Sequence, residues 1–171
     1  MTFTGIHGLD KSIDTTNRWI ADMAAAFGTE DRRFAYRVLR AWMHTLRDRL
    51  TVDAAAHLAA QLPELLRGVY YDGWSPRHVP RKYDLREVTV HYAEEARIGR
   101  DDVPKTIAVV TEVVSSEIAP GAVDQAVWQL PEELRRLFLP GGEPAGRGRP
   151  AERPAERAAA RSPESAPRAV M

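Results

Sequence analysis

Gln61-Leu62-Pro63-Glu64-Leu65-Leu66-Arg67 and Gln129-Leu130-Pro131-Glu132-Glu133-Leu134-Arg135 stand 68 residues apart and share their first four residues without change. Outward from these strings the agreement continues as spacing. Tyr70 falls on Phe138, while Leu39, Leu46, Leu50 and Ala54 fall on Ile107, Val114, Ile118 and Ala122. A shared tetrapeptide set among matched apolar positions reads as an internal duplication. A proline within a helical pattern clashes with the preceding turn and lacks the amide hydrogen of the ladder. Each copy therefore bends there and restarts with Pro63 or Pro131 in the first turn of a short helix. The bend aims Leu66 or Leu134 at a core and needs no further role.

The rest of the chain reads as helices around these two bends. Trp19, Ile20, Met23, Ala24 and Phe27 recur at helical spacing over about 14–27, closed by Gly28. Thr29 is the expected cap of a second helix over about 30–50. There Ala35, Val38, Leu39, Trp42, Leu46 and Leu50 form one apolar stripe and arginines fill much of the remaining surface. Thr51 and Asp53 restart the chain towards the first bend, and Asp72-Gly73 stops it. A proline-punctuated basic linker follows. Helical pattern resumes over about 85–98, although Val88-Thr89-Val90 permits a strand locally, and again behind Asp101 or Asp102 with Ile107, Val110, Val114 and Ile118. A last helix, over about 122–138, is interrupted at Pro131.

The expected fold is all-α: two tandem, pseudo-symmetric helical repeats packed as one bundle, with a disordered C-terminal tail. The expected organisation is a flexible N-terminus (1–12), repeat one (13–74), a linker (75–83), repeat two (84–139) and the tail (140–171). The tail holds six of the twelve prolines and no aromatic residue, so it cannot bury enough apolar surface to offset its ordering entropy.

Bulk composition removes several function classes. Lys+Arg and Asp+Glu are both 24, so no overall field draws in nucleic acid or acidic membranes. There is no cysteine, which excludes disulfides, thiolate catalysis and cysteine metal sites. No stretch reaches the roughly 20 apolar residues that span a bilayer, and the first twelve residues lack the apolar run of a secretion signal. A cytoplasmic location and no membrane association are expected.

The run from Gln61 through Gly68, followed by Tyr70-Tyr71-Asp72-Gly73-Trp74, resembles the bacterial family known as domain of unknown function 2267. The arginine-rich helix over 37–50 and the second copy over 129–138 are also similar to that family. The likeness covers about residues 10–138. It implies a duplicated helical domain and carries no established activity, cofactor or catalytic residue.

Candidate sites follow from residue chemistry. Tyr70, Tyr71, Asp72 and Trp74 form the most distinctive feature, for Tyr and Trp combine large contact area with a polar tip and dominate interface hot spots. The plainer reading makes Tyr70 and Trp74 a lid closing the core. Arg32, Arg33, Arg37 and Arg40 on the second helix, with Arg77, Arg81 and Lys82 (and His78) in the linker, form a basic patch that would hold phosphates if the two groups converge. Glu87, His91 and Glu95 share a helical face, but the first copy offers Trp19, Met23 and Phe27 there, so no bundle metal centre is expected. No serine sits in a nucleophile elbow and no glycine-rich phosphate loop occurs. No catalytic residue, metal or cofactor is assigned. The leading expectation is a non-catalytic interaction or scaffold module with an unidentified protein partner or self-association. The alternatives are a nucleic-acid-associated protein, and a small-ligand or enzymatic site between the repeats.

Overall fold

In the computed structural model, which describes residues 4–139, the chain winds through α1 (His7–Ala26), α2 (Arg32–Arg49), α3 (Val52–Ala59), α4 (Glu64–Tyr71), α5 (Leu85–Ala96), α6 (Val103–Glu117), α7 (Ala122–Val127) and α8 (Glu132–Phe138). Short 3-10 turns occupy Pro76–His78 and Arg100–Asp102, and no strand occurs among the described residues. The expectation for 140–171 lies outside the described residues.

Local chemistry accounts for most boundaries. Asp31, not Thr29, caps α2: its Oδ1 accepts from the amides of Arg33 and Phe34 at 2.9 and 3.0 Å. Thr29 instead accepts from the Asp31 amide, one step outside the helix. Helix α5 opens on a full capping box between Asp84 and Glu87, which decides the locally ambiguous Val88-Thr89-Val90 in favour of helix. The two bends are alike in backbone geometry. Pro63 has φ −54° and ψ 147°, and Pro131 has φ −53° and ψ 150°, each an extended residue just before a short helix. Arg67 braces the first bend by donating to the carbonyls of Ala59 and Leu62 at 3.0 and 3.1 Å. At the matching place Arg135 lies over the Trp128 ring, 4.2 Å from its centre.

The N-terminus adds to the sequence reading: within the segment expected to be a flexible extension (1–12), α1 begins at His7. Asp10 is buried and accepts from both the amide and the hydroxyl of Thr4 at 2.8 Å. Buried Ser12 accepts the Leu65 amide at 2.9 Å, which provides for a helix-start amide that Pro63 leaves without a side-chain cap. These are polar anchors, and an apolar-periodicity reading passes over them.

The core is one continuous cluster centred on α2, which packs against α1, α4, α5 and α6, while α3 meets α7 and α6 meets α8. Buried positions recur at the 68-residue offset. Leu62 and Leu130 are both 3% exposed, and Leu66 with Leu134, Tyr70 with Phe138, and Leu46 with Val114 are likewise buried. Trp42 donates its indole hydrogen to Thr111 at 2.9 Å, and Thr111 passes its own to the Ile107 carbonyl at 2.8 Å. Removing Thr111 Oγ1 would strand a buried indole donor. Thr111→Val should therefore lower stability by about 1–3 kcal/mol in chemical unfolding.

Tyr70 and Tyr92 are fully buried and donate to the carbonyls of Ala55 and Val38 at 2.9 and 3.0 Å. Burial pushes both hydroxyls well above the usual phenol range. The fold thus favours the neutral phenol. That advantage is complete below a pH of about 10 and is lost as the pH climbs through the raised folded values. In an alkaline titration followed by tyrosinate absorbance, two of the five tyrosines should stay silent until the helix signal collapses. Smooth titration of all five before unfolding would contradict this burial.

Candidate functional site

Along α2, Arg40, His44, Arg47 and Asp48 fall at intervals of four, three and one, which sets them along a polar edge beside the apolar stripe of the helix. That edge meets α5 and the linker. The linker is pinned there by its backbone: the Arg81 amide donates to the Asp48 carbonyl at 2.7 Å, and the Arg49 guanidinium donates to the Arg81 carbonyl. The result is a cleft of about 310 Å³ lined by His44, Thr45, Asp48, Arg81, Tyr83, Val88, His91, Glu94 and Glu95.

His44 forms the inner wall. It is buried, its Nε2 lies 2.7 Å from the Val69 carbonyl, and its Nδ1 lies 2.7 Å from Glu95 Oε1. A carbonyl only accepts, so Nε2 carries a hydrogen, and Nδ1 is engaged by the Glu95 carboxyl. Both ring nitrogens are thereby occupied, which leaves His44 without a lone pair for general-base work. The same Glu95 oxygen takes Arg40, whose other terminal nitrogen reaches Asp72 at 3.1 Å.

The outer wall is aromatic. The Tyr83 and His91 rings lie 4.6 Å apart with a 33° tilt. Arg81 donates to the Tyr83 hydroxyl at 2.7 Å and sits over its ring at 5.8 Å. That hydrogen bond holds the Arg81 guanidinium above its ordinary pKa, whereas burial lowers that of Arg49. Arg81 Nε is 3.7 Å from Asp48 Oδ2, outside hydrogen-bond reach.

The residues singled out in the sequence are distributed as follows. Tyr70 is entirely inside the core. Tyr71 and Trp74 are half-buried, their rings 5.3 Å apart, and both pack onto the core edge, while Asp72 is exposed. Buried Arg47 organises this turn: it donates to the carbonyls of Tyr70 and Asp72, the latter at 2.9 Å, and to Asp48 Oδ1 at 2.9 Å. Arg37 is turned inward, donating to the Ala96 carbonyl at the end of α5 at 3.2 Å. Arg32 reaches the Asn17 carbonyl at 2.9 Å, and Arg33, Arg77, His78 and Lys82 are exposed.

The basic patch is therefore divided. Arg40 and Arg81 are taken up by carboxylates and a phenol beside the cleft, and the others lie outside it. The Glu87–His91–Glu95 stripe also separates, with Glu87 in the capping box, His91 on Tyr83, and Glu95 on His44 and Arg40. Among the described residues no three His, Asp or Glu side chains group as a metal site. Sequence reasoning missed Thr45, Asp48, Tyr83 and Glu94 as parts of one site. Thr45 and Asp48 were signalled only as polar residues on the α2 edge, and nothing in the spacing tied Tyr83 or Glu94 to them.

Arg47→Ala would leave Asp48 and two carbonyls without their donor. The expected cost is about 3 kcal/mol, with a red shift of Trp74 emission as the turn loosens; an unchanged melting curve would contradict the role given to Arg47.

No helix among the described residues is long and apolar enough to cross a membrane. The chain matches none of the curated proteins at a significant level. A family model described as an uncharacterized conserved protein (DUF2267) matches residues 16–170, and the chain belongs to this family.

Proposed function

We propose that the chain is a non-catalytic binding module whose ligand sits in the cleft between α2 and α5. The observation that carries this reading is the convergence of nine side chains from three separated stretches around one cleft of about 310 Å³. That volume falls at the low end of small-molecule sites. Its lining is more polar than that of most small-molecule sites: Val88 is the one aliphatic residue, and the Tyr83 and His91 rings stand among charged groups able to orient a polar ligand. Binding is favoured over catalysis because His44, the histidine set in the cleft wall, has both ring nitrogens occupied.

The matched burial and matched proline geometry at the 68-residue offset support a duplicated unit as the origin of the two halves. In that reading the cleft lies where α2 of one half meets α5 of the other. A protein partner at the turn is the second reading. It draws on the half-exposed Tyr71–Trp74 ring pair beside exposed Asp72. Phosphate binding keeps only the outward Arg33, Arg77 and Lys82 with His78, since Arg37 and Arg40 serve α5 and Asp72.

The test is to fill the cleft from its half-buried wall with Thr45→Trp. In ligand-observed NMR with a fragment library, the wild-type chain should give saturation-transfer signals that Thr45→Trp removes while its helical circular dichroism is retained. Signals that survive in the filled variant would place binding elsewhere, and loss of binding by Trp74→Ala alone would favour the turn.

A further inference from the structure

The charge lining the cleft is one-sided: three carboxylates, Asp48, Glu94 and Glu95, stand against the one guanidinium of Arg81. His44 has spent both ring nitrogens, while Arg81 gives a hydrogen bond to Tyr83 and directs its unpartnered Nε towards Asp48 at 3.7 Å. The carboxylates keep acceptors to spare. Glu95 receives Arg40 and His44 on Oε1, leaving Oε2 with no donor from the described residues. Asp48 receives Arg47 on Oδ1, while its Oδ2 has Arg81 only at 3.7 Å. The exposed Glu94 carboxylate, in the same lining, has no ion pair among the described residues.

Resting on the reading of this cleft as a binding site, we infer that its ligand is a small organic cation, an ammonium or guanidinium group on a short apolar stem. An N–H cation supplies the donors that these carboxylate oxygens lack, and charge-assisted hydrogen bonds of this kind are the stronger ones. The tilted Tyr83–His91 ring pair offers π surface that attracts a cation as well. Val88 accommodates the stem. A bare metal ion fits less well, because no three His, Asp or Glu side chains among the described residues come together to ligate one. An anion would meet three lining carboxylates against the single Arg81 guanidinium.

The experiment uses the full chain and three probes of equal length: n-butylamine, butyrate and n-butanol. Each is titrated while the ring resonances of His91 and Tyr83 are followed by NMR, in the wild-type chain and in Glu94→Gln. Glu94 is exposed, so the variant should keep the wild-type melting curve. Butylamine should shift these resonances saturably, with butanol and butyrate weaker. Its affinity should fall about fivefold in Glu94→Gln, the loss expected for one partly exposed charge pair. Tighter binding of butyrate than of butylamine, or an unchanged butylamine affinity in Glu94→Gln, would overturn the cation assignment while leaving the cleft a binding site. Silence of both rings towards all three probes would remove the cleft reading as well.

Discussion

Burial of α2 on every side but one is the constraint from which the rest of this structure follows. Nine of its residues are buried, and they include Trp42, Met43 and Leu46, which expose none of their surface. An isolated helix with such a face is unstable in water, so it must be covered. The cover comes from both ends of the chain, with α1 and α4 before the linker and α5 and α6 after it. Polar contacts fix how the cover sits. Trp42 is tied to Thr111, the Val38 carbonyl to Tyr92, and Arg37 to the end of α5. Each joins residues more than fifty positions apart, so ordering α2 and closing the bundle are one event.

The cleft is where this cover stops. The side of α2 carrying Arg40, His44, Arg47 and Asp48 cannot be sealed with apolar groups without leaving buried charges unpaired, which is far more costly than leaving a wet cleft. Arg47 goes fully inside and is compensated by two carbonyls and Asp48. Arg40 and Asp48 keep partial access to solvent beside α5, and buried His44 is satisfied by Val69 and Glu95. His44 links that cleft to the α4 end through Val69, and Arg40 links it to Asp72. The aromatic turn and the cleft are therefore held by neighbouring side chains of one helix.

Much of the helix layout was legible in the residues because it depends on local rules. The apolar period of α2 and the two Gln-Leu-Pro-Glu bends require no knowledge of tertiary contacts, and Leu62, Leu66, Leu130 and Leu134 are indeed buried. The start of α1 was not legible, since its anchors are the polar contacts of Asp10 with Thr4 and Ser12 with Leu65. The cleft was legible only as a general place between halves. The spacing of Glu95 and His91 sets both on one face of α5, but their partners His44 and Tyr83 come from elsewhere. A spacing rule for one helix cannot report the angle at which two helices cross. Tyr70, readable from its run either as a recognition residue or as a core lid, spends its hydroxyl inside the core on Ala55.

If α2 is the shared interior, native-state amide exchange should show it directly. The amides of residues 38–46 in α2, 88–96 in α5 and 106–114 in α6 should exchange through one opening event with a single free energy, equal to that of global unfolding. Two separate free energies, one for α1–α4 and another for α5–α8, would mean that each half buries its own apolar surface and would contradict the account.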